Sequence, residues 1–187
     1  MRFTAEDIVK VIPHRPPFLL IDSVEVIEFG KCGVGEKKLV SDGGFGDFLD
    51  TYLPKRRVMP GPMIIEAAAQ TAAFITTAGK FFEKGPPTIS NHNDGPSAIS
   101  SHKNGPSTSD SHTNDPGDSA NSMGYLVKIG NFSFDDYAKE GDILNLHVTL
   151  DTVFGALHKF DVVAKVSGVE IARGSLTFSV VSEMPSG

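Results

Sequence analysis

Val58 to Gly79 reads VMPGPMIIEAAAQTAAFITTAG, and the fold turns on how that run is interpreted. Gly61-Pro62 suits a helix start, because proline is preorganised for the first turn and its missing N–H has no partner there anyway. Gly79 is placed as a C-terminal cap. Between them the residues are apolar on nearly every face, so the helix is expected to be buried on most sides. Its alanines would let a sheet approach the helix axis closely. Glu66 is the one charged residue inside the run. A carboxylate in such surroundings needs a partner.

The flanking segments supply the sheet. Thr4 with Asp7 three residues later predicts a capping box opening a short helix over Ala5 to Val11, ended by Pro13, Pro16 and Pro17. Phe18 to Ile27 and Gly33 to Val40 read as strands. Residues 41–61 carry too much Gly, Asp and Pro for regular structure. Four more strand-like runs follow: Tyr125–Phe134, Ile143–Val153, Leu157–Val166 and Glu170–Val181. Turn signals lie between these four, at Glu140-Gly141-Asp142, Gly155 and Ser167-Gly168. Leu144, Leu146, Val148 and Leu150 alternate onto one face. Two or three strands, one long buried helix and four strands predict an α+β domain, an antiparallel sheet wrapped around a central helix.

The 187 residues, 40% hydrophobic, suffice for a single domain spanning 1–187. A formal charge of −6 and a pI near 5.4 argue against a general nucleic-acid binder. The single cysteine, Cys32, excludes an intramolecular disulfide and an all-cysteine metal cluster. MRFTAEDIVK lacks the long apolar stretch of a signal peptide and no apolar run reaches spanning length, so a soluble, cytoplasmic protein without membrane insertion is expected. Residues 84–122 stand apart. Their apolar members are Ile89, Ala98, Ile99 and Ala120, and a ten-residue repeat keeps His92, His102 and His112 in step with Pro96, Pro106 and Pro116. Such a stretch buries too little to offset its ordering entropy, so a disordered insertion is expected. Ten-residue spacing preorganises no metal site, and none is expected.

Three sets of residues bear on function: IPHRPPFLLID at 12–22, VMPGPMIIEAAAQ at 58–70, and the terminal GDILNLHVTL and ARGSLTFSV. Together they make the chain resemble the hot-dog-fold 3-hydroxyacyl-[acyl-carrier-protein] dehydratases of fatty acid synthesis, the FabZ type. The resemblance implies a dimer, often a trimer of dimers, with each active site built from a His of one subunit and a helical Glu of the other. It assigns Glu66 as that carboxylate and Gln70 as the glutamine that follows, in the substrate-binding set. Gly61 becomes the residue whose N–H polarises the thioester carbonyl. A helix start is suited to that task in any case, since its free N–H groups stabilise oxyanion charge. No cofactor is implied.

The family's histidine is missing. Where its members have GHFPG, this chain has Thr51-Tyr52-Leu53-Pro54-Lys55, which puts Tyr52 in the catalytic position. His14 belongs to the IPHR motif, and the other histidines lie far away in sequence. Dehydration needs a base for the α-proton and an acid for the leaving hydroxyl, and an imidazole serves well at neutral pH. A phenol of pKa about 10 is roughly 0.1% ionised at pH 7, a handicap near 4 kcal/mol for a base. Three readings follow: a dehydratase subunit whose partner supplies the histidine, a binding or scaffold subunit for acyl thioesters, or a thioesterase in which Glu66 activates water. Acyl carrier protein is the implied partner, and Lys55, Arg56 and Arg57 are the expected docking patch on this otherwise acidic chain.

Overall fold

A computed structural model describes residues 1–40, 46, 57–82 and 124–180. The elements run β1 (Arg2–Thr4), α1 (Ala5–Val11), β2 (Ser23–Glu28), β3 (Cys32–Lys38), α2 (Gly61–Phe82), β4 (Gly124–Phe134), β5 (Ile143–Phe154), β6 (Leu157–Val166) and β7 (Val169–Val180). The strands form one antiparallel sheet of order β1-β2-β3-β5-β6-β7-β4, with α2 against its inner face. The expected α+β architecture holds: this is a hot-dog fold. The insertion 84–122 lies outside the described residues, as do most of residues 41–56. No helix among the described residues is long and apolar enough to cross a membrane.

The expected burial of the helix is realised. Ile64, Ala67, Ala68, Phe74, Ile75 and Ala78 are shut off from solvent. Leu144, Leu146 and Val148 of β5 face them, fully buried on alternate positions. What brings sheet and helix together is glycine on the β3 side. A Cβ built on Gly35 would stand 2.1 Å from Thr71 Oγ1, and one on Gly33 would stand 2.9 Å from Ile75 Cδ1. Only residues without a side chain fit there.

Some boundaries differ from the sequence reading, each for a tertiary reason. Helix α2 runs through Gly79 to Phe82, because Phe82 packs on Phe3 with ring centroids 4.7 Å apart. That contact outweighs the roughly 1 kcal/mol a mid-helix glycine costs. Phe3 also meets Phe74 edge-on at 5.2 Å, which anchors β1, a three-residue strand too short to show a period. Strand β2 starts at Ser23 rather than Phe18, since the backbone groups of Phe18 and Leu20 are taken by a side chain of α2, described below. The α1 prediction holds over its whole length, and Asp7 accepts from both the N–H and the hydroxyl of Thr4. The anticipated turns at Gly141, Gly155 and Gly168 have φ of 88°, 57° and 81°, where a side chain would be strained.

Candidate active site

Gln70 organises the site. It is buried, and its amide is engaged at both ends: Oε1 accepts from the N–H of Leu20 at 2.9 Å, while Nε2 donates to Phe18 O at 2.8 Å and to Glu66 Oε1 at 3.0 Å. One side chain therefore ties the PPFLL segment to α2 and reaches the carboxylate one turn earlier, as the i,i+4 spacing allows.

Glu66 is half-buried, and a second group stands against it. His14 Nε2 lies 3.3 Å from Glu66 Oε1. Burial raises the Glu66 carboxyl, but the His14 ring beside it and the hydrogen bond from Gln70 outweigh that, so its pKa lies below the usual glutamate value. Glu66 is thus a carboxylate at neutral pH: a proton acceptor, and a donor only after taking up a proton.

The pair opens on a cavity of about 460 Å³ whose wall includes Glu66, Gln70, Ala73, Thr77 and Phe81. These follow helical spacing along one stripe of α2. At 1.5 Å per residue the stripe is about 22 Å long. The segment Val9–Arg15 forms the opposite wall, and Tyr125 and Leu126 of β4 close one side. The arrangement suits an extended, largely apolar ligand whose reactive end meets a carboxylate.

Gly61 lies where the sequence puts it, at the first position of α2. The first-turn hydrogen bonds start with the N–H groups of Met63 and Ile64, both to Pro60 O. A Cβ on Gly61 would press on the Phe134 ring, 2.9 Å from Cζ, so the glycine also admits that ring over the helix start. Arg57 is not idle: its Nη1 holds both oxygens of Glu140 at 2.9 Å. Any carrier-protein contact would compete with that ion pair. Tyr52, Lys55 and Arg56 lie outside the described residues.

His14 is what the sequence reading passed over as a site residue. It is 52 positions from Glu66 in the chain, and no spacing links them. The available signal was that the IPHR and IIEAAAQ motifs occur in one chain.

Comparison with known proteins gives a consistent neighbourhood. Residues 12–92 match the model of a FabA-like domain. The chain is 31% identical over 177 residues to the 3-hydroxyacyl-[acyl-carrier-protein] dehydratase FabZ of Halalkalibacterium halodurans, covering 95% of this chain and 98% of that one. It is 30% identical to the FabZ of Herpetosiphon aurantiacus, covering 95% and 98%. Among solved structures, a dehydratase heterocomplex from Xenorhabdus doucetiae aligns with TM-score 0.61 at 16% identity, over 93% of this chain and 90% of that one. A sigma28-regulated virulence protein of Campylobacter jejuni aligns with TM-score 0.55 at 13% identity, over 97% and 95%. These two likenesses speak to the fold.

Proposed function

The chain belongs to the FabZ-type 3-hydroxyacyl-[acyl-carrier-protein] dehydratase family, and from that premise we propose that it binds 3-hydroxyacyl or enoyl thioesters carried on acyl carrier protein and dehydrates them efficiently only with a histidine-bearing partner subunit. The observation that carries this reading is the presentation of Glu66, half-buried and clamped, at one end of a groove lined by α2.

In the reaction a base removes the α-proton, the electron pair forms the new double bond, and the hydroxyl leaves as water with a proton from an acid. Charge developing on the thioester oxygen would be met at the start of α2, where Gly61 supplies an N–H and the helix dipole adds to it. Glu66 provides one proton-transfer group. Tyr52 stands in the family's histidine position and is a poor base at neutral pH, so the chain alone has half of the usual machinery.

Support for a partner subunit comes from β4. Among the described residues it is an edge strand, yet Tyr125, Leu126, Val127, Ile129 and Phe134 along it are all exposed. An apolar edge of this kind calls for a cover. A second subunit there would lie beside the cavity, since Tyr125 and Leu126 also line it.

The test is complementation. A family member with the GHFPG histidine is mutated at its own helical carboxylate, so its homodimers are inactive, and is co-expressed with this chain. Activity should appear only in the mixture and vanish with Glu66→Gln, which keeps size and hydrogen bonding but removes the proton acceptor. Co-purification without activity would refute the shared site and favour a binding subunit. Thioester hydrolysis by this chain alone, lost in Glu66→Gln, would favour the thioesterase reading; its support is that Glu66 is held as a carboxylate, the form able to activate water.

A further inference from the structure

We propose that His14 is a positioning residue for Glu66, acting with Gln70 to clamp carboxylate oxygen Oε1 so that Oε2 is the oxygen presented to a ligand. Its role in turnover rests on the dehydratase reading above; the clamp itself does not.

The geometry is one-sided. Both contacts to Glu66, from His14 Nε2 at 3.3 Å and from Gln70 Nε2 at 3.0 Å, fall on Oε1. Among the described residues Oε2 accepts no hydrogen bond. Gln70 is held by Leu20 and Phe18, and His14 by its place in the α1–β2 connection. In that connection Arg15 Nη1 donates to the carbonyls of Ile12 and His14. Contacts from two elements, α2 and the α1–β2 connection, fix a carboxylate better than one, because rotation about its terminal torsion would break both.

In its neutral form the His14 ring also identifies its own tautomer. Nδ1 is buried and has no hydrogen-bond partner among the described residues. A proton on Nδ1 would be a buried donor left unsatisfied, whereas a proton on Nε2 leaves only a bare lone pair inside. The cheaper arrangement is the one that turns the Nε2 proton toward Glu66 Oε1, 3.3 Å away.

Other charged and titratable groups border the same cavity: Lys10 on α1, Arg15 after it, and Tyr125 on β4. Neither Lys10 nor Arg15 is among the groups that lower the Glu66 carboxyl, so a variant at His14 tests the residue that does.

Glutamate carboxyl carbons are observed by NMR in uniformly labelled full-length protein, with Glu66→Gln assigning the resonance, and titrated in wild type, His14→Phe and His14→Asn. His14→Phe keeps a planar ring without a donor; His14→Asn serves if phenylalanine does not fold. In wild type the Glu66 midpoint should lie below the ordinary glutamate value, and in either variant it should rise, since burial then acts with one donor fewer. Melting temperatures should change little. An unmoved midpoint in a folded variant overturns the clamp, whatever the protein's activity. The second readout is enoyl-thioester hydration in a Tyr52→His background, where His14→Phe should lower kcat about 10- to 100-fold, with KM less affected and the acidic limb of the pH profile moved upward. A shifted midpoint with unchanged kcat would leave the clamp standing and remove its part in turnover. Absence of turnover in the Tyr52→His background itself, with the midpoint shifted, would count against the dehydratase reading and not against the clamp.

Discussion

Gly35→Ala probes the contact that sets α2, and with it Glu66, against the sheet. The new methyl would stand 2.1 Å from Thr71 Oγ1, 3.0 Å from its Cγ2 and 3.1 Å from its Cβ. Thr71 is fully buried, and its hydroxyl donates to Ala67 O at 2.8 Å. Ordinary contact begins near 3.4 Å, so the hydroxyl overlaps by more than an ångström. Either Thr71 turns and loses its hydrogen bond, or α2 lifts from β3. Overpacking of this kind costs about 1–3 kcal/mol. Loss of glycine freedom in the unfolded chain returns about 0.4–1 kcal/mol. The net expectation is a destabilisation of about 1–2 kcal/mol, or a fall in Tm of roughly 2–4 °C per kcal/mol for a domain of this size. Urea unfolding at one fixed protein concentration measures it, as a lower midpoint with an unchanged slope. Adding Thr71→Ala removes the two closest atoms and should restore much of the loss, a coupling of about 1 kcal/mol between the sites. A Gly35→Ala protein as stable as wild type, or a double variant no better than the sum of its parts, would refute the close-approach account.

Three more outcomes are expected. The purified chain should dehydrate 3-hydroxyacyl thioesters poorly, and Tyr52→His should raise the rate, by up to about 100-fold if the imidazole recovers a general-base contribution; robust wild-type turnover abolished by Tyr52→Phe would show instead that the phenol moves the proton. Gln70→Leu should cost about 1–3 kcal/mol in urea unfolding, chiefly by stranding the buried N–H of Leu20, and a neutral effect would mean that the segment finds another acceptor. Replacing residues 84–122 by a short Gly/Ser linker should leave the melting temperature and the oligomeric state unchanged, because that stretch offers so few apolar residues to a core; a large fall in melting temperature would contradict this.

The sequence alone determined the elements whose signal is local. Helix α1 is legible because Thr4 and Asp7 cap it and proline follows it. Strands β5 to β7 are legible from alternation bounded by glycine turns, and α2 from a long apolar run opened by Gly61-Pro62. The α+β layout follows from their order, and the motif around Glu66 makes it the expected site residue. Tertiary structure decided what depends on contacts between distant positions. Phe82 on Phe3 carried α2 past Gly79. The Gln70 amide took the backbone of Phe18 and Leu20 and delayed β2 to Ser23. His14 reached Glu66 across 52 residues of chain. Propensity and periodicity report a residue's own few neighbours, whereas a hydrogen bond or ring contact is set by where whole elements come to rest, and that placement exists only once the sheet has closed around the helix.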